Sequence, residues 1–492
     1  MSTSPPLPDQ SESAPTGRIV AVLAFGGITV ALMQTLIIPL VPQLPRLVDA
    51  SAANTAWAIT ATLLAGAVAV PVTGRLGDMF GKRRMLLISV ALLVLGSVVG
   101  ALAGSLAPLV VGRALQGLSA GVIPLGISIM RDVLPRHKLA GAIALMSASL
   151  GVGGALGLPT AAVIAEFADW HFLFWAAAAL GLAVAALVIT VVPESEVRTG
   201  GAFDFGGAIT LSAALVSLLL AISKGSDWGW SSATTLGMLG LAVVAFAAWI
   251  IWELRCPQPL VDLRVSTRRQ VLFTNAASIM LGFAMFAMSL VLPQILQLPT
   301  ETGVGLGKSI LVAGLVMAPS GLIMMAVAPL SSAITTTRGP KITLTAGAAV
   351  VALGYLAGIV MMSAVWQLIV VSMIVGAGIG LAYGAMPALI MAAVPASETA
   401  AANSFNTLMR SLGTSSASAV AGVVLASMSM TVGPVSVPTE NAFRVTMAVA
   451  AGAAVLAIVF TLFLPKFVAA GSADPIAFDA PEFAERRVQS VE

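Results

Sequence analysis

The chain has 492 residues, is 58% hydrophobic and only 9% charged, and has a mean hydropathy of +1.01. Soluble domains carry roughly a quarter of their residues charged, so a soluble fold is excluded, and recurrent apolar runs of about 20 residues read as membrane-crossing helices. The formal charge of +3 is scattered over short loops, which argues against a nucleic-acid partner; Cys256 is the sole cysteine and His137 and His171 lie far apart, which argues against a disulfide and a metal cluster.

Residues 1–17 are polar and Ser/Pro-rich without a basic n-region, so they predict a disordered tail rather than a signal peptide. Apolar runs then fall at 19–41, 56–73, 85–104, 107–130, 139–164, 170–192, 204–223, 232–252, 271–297, 309–330, 341–362, 366–392, 401–428 and 443–464. Only helices or closed barrels satisfy the backbone in lipid, and the alternation of a barrel is absent, so the reading is about fourteen transmembrane helices. An even number puts both termini on one side. Arg75, Lys82, Arg83, Arg84, Arg131, Arg136, Lys138, Arg255, Arg264, Arg268, Arg269, Arg338 and Lys341 share that side, against Arg46, Lys224, Lys308 and Arg444 on the other. The positive-inside rule therefore predicts cytoplasmic termini and a multi-pass protein of the cell membrane. Trp170, Trp228 and Trp230 fit an interfacial belt at the opposite ends.

Two polar breaks, 193–204 and 253–269, divide the spans six, two and six. The predicted domains are an N-terminal six-helix bundle (18–198), a two-span linker (199–268), a C-terminal six-helix bundle (269–466) and a cytoplasmic tail (467–492). A repeat supports the division. Pro71 is followed ten residues later by Gly81 and then Lys82, and Pro329 ten residues later by Gly339, Pro340 and Lys341. A parallel repeat of two halves is one way membrane transporters place a substrate site at the midplane.

The densest chemistry is Gly74-Arg75-Leu76-Gly77-Asp78-Met79-Phe80-Gly81-Lys82-Arg83-Arg84, five charges in eleven positions, read as a polar turn between two apolar helices. Arg113-Ala-Leu-Gln116-Gly117 places a cation inside the fourth span, where a charge costs about 2.5 kcal/mol or more and must find a cavity or a partner. The first stretch resembles the signature loop of the major facilitator superfamily, and the second resembles that family's intramembrane arginine motif. The six-two-six layout, Phe203-Asp204 and the loop Lys224–Trp230 are similar to the fourteen-span drug:proton antiporters. The resemblance implies an all-α integral membrane protein of the major facilitator fold, two six-helix bundles with two extra linking spans, and not an enzyme.

It also implies roles. Gly74, Asp78, Gly81, Arg83 and Arg84 would form a conformational latch, Asp78 meeting the start of span 13 near Ala400. Arg113 would serve proton coupling or hold a water network, which is the favoured reading; structural hydrogen bonding to backbone carbonyls of a neighbouring span is the alternative. Gly151, Gly153, Gly154, Gly157 and Pro159 resemble the antiporter motif with departures, and with Gly117 they are expected at helix contacts. Antiporters of this type often carry an acid in span 1, where Met33 stands here. No Asp or Glu lies near the middle of any span, which leaves Glu166 and Asp132, at span ends, as further proton-coupling candidates.

Met33, Gln34, Gln116, Asn275, Met285, Gln294, Tyr383, Asn403, Asn406 and Arg410 are the substrate-cavity candidates, because deep polar groups line cavities and methionines adapt to varied apolar shapes. The expected activity is export of a small hydrophobic or amphipathic compound by a monomer in the lipid bilayer, with a proton as coupling ion and no cofactor. An uncoupled or lipid-moving transporter and a non-transporting sensor are the competing readings. Thr336 and Ser332 stand in the second copy of the repeat where the first has Asp78 and Gly74, so the charged latch is expected on one side only.

Overall fold

The computed structural model describes residues 16–37, 40, 43–432 and 435–465, so of the predicted tails 467–492 and residues 1–15 lie outside the described residues, while Thr16 and Gly17 already belong to the first helix. Among the described residues, fourteen helices are long and apolar enough to cross a membrane. In the first half these are α1 (Thr16–Thr35), α2 (Trp57–Phe80), α3 (Lys82–Ala101), α4 (Leu106–Val133), α5 (Arg136–Phe167) and α6 (His171–Val191). The linking pair is α7 (Phe205–Trp228) and α8 (Ala233–Arg255). The second half holds α9 (Arg269–Gln297), α10 (Ile310–Arg338), α11 (Pro340–Val360), α12 (Val365–Ala393), α13 (Thr399–Ser427) and α14 (Glu440–Leu462). A hairpin of β1 (Ser429–Val432) and β2 (Val435–Pro438), not expected from the sequence, joins α13 to α14.

In each half the helices pack on one another around a separate apolar core. Leu23, Leu86, Leu125 and Met146 centre the first, and Leu281, Leu344, Val375 and Phe443 the second. The halves meet along two lines, α2 against α13 and α5 against α10. On the second line the backbones nearly touch: a Cβ at Gly321 would lie 2.3 Å from the Gly151 carbonyl oxygen. Such an approach replaces side-chain interdigitation with direct van der Waals contact, as helices in lipid favour. The linking pair does not stand apart. Leu211, Leu215 and Leu219 of α7 pack with Ala67 of α2 and Leu408 of α13, so α7 lies across the seam between the halves.

The stretch 74–84 is not the open turn expected. Residues 74–80 continue α2, and only Gly81 breaks the helix, at φ 114°, before Lys82 opens α3. Gly339 does the same between α10 and α11 at φ 91°. Both positions need glycine because a side chain disfavours positive φ. The repeat read from Pro71/Gly81 and Pro329/Gly339 is thus a repeat of one helix–glycine–helix joint. Trp170 stands at the start of α6 and is buried, edge-on to Phe174 and tilted over His171.

Candidate functional site

Two polar clusters and one intramembrane clamp carry the chemistry. The first cluster lies at the end of the bundle where the Lys/Arg-rich loops gather. A helix starts with unpaired N–H groups and the positive end of its dipole, so it attracts a carboxylate. Asp78, fully buried at the end of α2, supplies one: its Oδ1 accepts from Ala400 N at 3.2 Å and its Oδ2 from Ala401 N at 2.8 Å, both in the first turn of α13. Close approach of the helices permits this. A Cβ at Gly74 would lie 2.3 Å from Ser404 Oγ, and one at Gly77 would strike Leu125 at 2.5 Å and touch Ala400 at 3.8 Å.

Around Asp78 the first half builds a closed electrostatic frame. Lys82 is read from sequence as an ordinary loop cation, yet it is fully buried, 2.6 Å from Asp132 and 3.6 Å from Asp78. Asp132 also accepts from Ser195 at 2.5 Å, which makes it a buried ion-pair partner at the end of α4. Glu194 accepts from Arg83 N at 3.2 Å, and the Arg83 guanidinium donates to Ile189 O at 2.6 Å; Arg84 is exposed. Arg131, which sequence reading counted only towards topology, reaches across the seam. It donates to Val394 O, Pro395 O and Thr399 Oγ1 at 3.1, 3.4 and 2.5 Å. Its neighbour Asp132 in the last turn of α4 was the available signal. Among the described residues, the hydrogen bonds between the two halves all lie at this end, from Asp78 and Arg131.

The second copy of the joint carries nothing comparable. The exposed Thr336 hydroxyl donates only to Ser332 O and Ala333 O of its own helix. Exposed substitutions of this kind change stability by no more than about 0.5 kcal/mol. Thr336→Ala is therefore expected to leave both the melting temperature and solute flux at parental levels, which thermal unfolding and vesicle flux assays would check.

Within the membrane, Arg113 is a clamp. Its Nε donates to Ala58 O at 3.1 Å, and its Nη1 to Met33 O at 2.9 Å and to Gln116 Oε1 at 2.7 Å. Gln116 Nε2 passes the chain on to Ser97 Oγ at 2.8 Å. Helices α1, α2, α3 and α4 are thereby tied through one guanidinium. This arrangement matches backbone hydrogen bonding; Gln116 is committed to Arg113 and Ser97, and the Met33 side chain is buried in an apolar cluster. Gln34 beside it is exposed. Gly117, Gly153 and Gly157 sit where a Cβ would collide with Thr62 O, Ala31 and Thr35; Gly151 faces Met324 of α10. Gly154 is an exception, since a Cβ there meets nothing within 4 Å. Pro159 lies inside α5, which continues as a helix to Phe167. The side chain of Glu166 lies outside the described residues.

The second cluster belongs to the C-terminal half. Asn406 Nδ2 donates to Asn275 Oδ1 at 2.8 Å and to Ser278 Oγ at 2.7 Å, fastening α13 to α9. Asn403 donates to Thr399 O, while its Oδ1 has no partner. Arg410 stacks over the Tyr383 ring at 4.7 Å, and the buried Tyr383 hydroxyl has no partner. Met285 and Gln294 are half-buried on α9, Met285 packing on the second core. Among the described residues no group of His, Cys, Asp and Glu could hold a metal ion.

This architecture has relatives. The family model described as Major Facilitator Superfamily matches residues 23–418 and 272–477. The tetracenomycin C resistance and export protein of Streptomyces glaucescens is 35% identical over 252 residues, 51% of this chain and 46% of that protein, so the matched stretch spans about half the length of that relative. The multidrug resistance protein Stp of Mycobacterium tuberculosis is 27% identical over 414 residues, covering 83% of this chain and 76% of its own. Among solved structures, the human organic anion transporter MFSD10 superposes with a TM-score of 0.64 at 16% identity, over 91% of this chain and 99% of its own. The fold and these relatives are those of transporters and not of enzymes. With the family model matched across both halves of a fourteen-helix membrane fold, the chain belongs to the Major Facilitator Superfamily.

Proposed function

We propose that the chain exports small hydrophobic or amphipathic compounds by alternating access, as a monomer in the cell membrane with both termini in the cytoplasm. The observation that carries this reading is the placing of the cross-seam hydrogen bonds at the basic end alone. A seam bonded at one end only is what a two-state rocking motion needs, since bonds at both ends would hold the cavity shut. On this reading the positive-inside rule puts the bonded end on the cytoplasmic side, and the bonds there hold the cytoplasmic entrance closed. The name of the tetracenomycin C resistance and export protein, with that of the multidrug resistance protein Stp, supports export of a drug-like compound.

Coupling to an inward proton flow would drive export, with Glu166 the remaining candidate carrier once Arg113 and Asp132 are tied into structural networks. A second reading, uncoupled transport, is favoured by one feature: no Asp or Glu stands at mid-depth in any of the fourteen helices. Proteoliposomes loaded with neutral, anionic and cationic aromatic dyes separate these readings. Coupled export predicts flux of at least one dye that accelerates when a proton gradient is imposed. Flux indifferent to the gradient would support the uncoupled reading, and no flux of any dye would reject transport.

A further inference from the structure

Among the described residues, only two charged side chains lie at mid-depth in the helices, Arg113 and Arg410, and both are cations. Their surroundings differ. Arg113 is enclosed and makes three hydrogen bonds to fixed acceptors. Arg410 is half-buried and makes one described hydrogen bond, a long one of 3.5 Å to Thr407 Oγ1. A guanidinium has five donors, so most of those on Arg410 are uncommitted.

Its direction follows from helix geometry. Leu408 and Leu412 of α13 pack on the linking helix α7 at the outside of the seam. At 3.6 residues per turn, Arg410 lies on the far side of α13 from that face, together with Thr407 and Asn403. That side is turned inward, because Arg410 meets Tyr383, and the next residue of α12, Gly384, abuts Ala144 of the opposite half, where a Cβ would lie 3.2 Å away. Arg410 is eleven residues into α13, about 16 Å along its axis and close to the bilayer centre. An unpaired guanidinium at that depth does not face lipid.

We propose that Arg410, stacked on Tyr383, is the anion-holding subsite of the transport cavity, so that the cargo is an aromatic or apolar compound bearing a carboxylate or phenolate rather than a cation. The proposal rests on the transport reading above and names its substrate class. Two features beyond the open donors point the same way. The Tyr383 hydroxyl, buried and unpartnered beside the guanidinium, supplies a further donor. No carboxylate stands at mid-depth to neutralise Arg410 or to attract a cationic compound, so the cavity carries a positive potential that favours anions and repels cations. Tyr383 spreads the charge through its ring face and holds the guanidinium plane for bidentate contact with the carboxylate.

Full-length protein in proteoliposomes would be tested with fluorescein, an aromatic anion, and ethidium, an aromatic cation, as counterflow probes. The expected result is fluorescein flux well above protein-free vesicles and ethidium flux near them. Arg410→Gln should lower fluorescein flux at least about tenfold, the value of one charge-assisted contact, and Arg410→Lys should restore part of it. Fluorescein binding to each purified, monodisperse variant is measured in parallel by fluorescence polarisation, and Arg410→Gln should weaken it about tenfold while the melting temperature holds. Ethidium flux equal to or above that of fluorescein would overturn the proposal and leave transport standing, as would equal loss of both fluxes in Arg410→Gln. Flux of neither probe, with no fluorescein binding, would overturn the proposal; the wider dye panel then decides the fate of the transport reading separately.

Discussion

Replacing Asp78 by Asn should open the basic end of the seam and lower solute flux by an order of magnitude or more. The substitution keeps the shape of the side chain and removes its charge. Its remaining oxygen accepts from only one of Ala400 N and Ala401 N, and the new amide group confronts the other donor. Charge-assisted hydrogen bonds contribute about 1.5–3 kcal/mol each, and a carboxylate at a partly buried helix start up to about 2 kcal/mol. A loss of roughly 3 kcal/mol from one conformer shifts a two-state balance by more than a hundredfold. Lys82 stays paired with Asp132 at 2.6 Å, so the first half should keep its fold. Spin labels on R84C and R338C, two exposed positions on opposite halves at the basic end, in a Cys256→Ser background, would report the change. Their mean separation should increase in the Asp78→Asn variant, with the melting temperature close to the parent. An unchanged distance distribution together with unchanged flux would remove Asp78 from any conformational role. Loss of Arg131's three contacts across the same seam should add to the effect, because they act on the same equilibrium.

These groups were unequally legible in the sequence. Span number and the two-half division follow from apolar run length and loop charge, because lipid leaves the backbone no option but helices of fixed length. Gly81 and Gly339 were readable for a similar reason, since each is a backbone joint that needs positive φ. Charge partners were not. Nothing local in the sequence distinguishes the exposed Arg84 from the fully buried Lys82 two residues earlier, and only the fold brings Asp132 to the latter. Ser195 and Glu194 lie in what reads as a polar break after the sixth span, yet they close the frame around the end of α2 and the start of α3. Helical facing explains the remaining departures. Gly153 meets α1 and Gly157 meets Thr35, one turn apart on one side of α5, while Gly154 is turned about 100° away and meets nothing. Met33 and Gln34 are adjacent and therefore face differently, one buried and the other exposed.

Arg113→Ala should be the most destabilising single change in the N-terminal half, and it should act at acid and alkaline pH alike. The Met33 carbonyl lies in the last turn of α1, where helix carbonyls have no partner further along the chain, and Arg113 supplies that partner at 2.9 Å. A cation at a helix C-terminus also opposes the dipole. The same guanidinium bonds Ala58 O of α2, which also accepts from Thr62 Oγ1, and orients Gln116 towards Ser97 of α3, so its removal orphans Met33 O and the side-chain oxygen of Gln116 and weakens the tie to α2. Each orphaned acceptor costs about 1–3 kcal/mol, and the emptied volume adds to this. Arg113→Lys should rescue little, because a single ammonium group cannot reproduce the fixed fork that reaches three acceptors. Thermal unfolding of purified protein should show a large drop in midpoint for both variants, and flux per folded molecule should keep the parental pH dependence. A direct part in proton movement predicts the opposite pattern, with parental stability and a displaced pH profile. The two assays therefore separate a clamp from a proton carrier, and the three short hydrogen bonds of Arg113, against the single long one of Arg410, are why the clamp is the expected result.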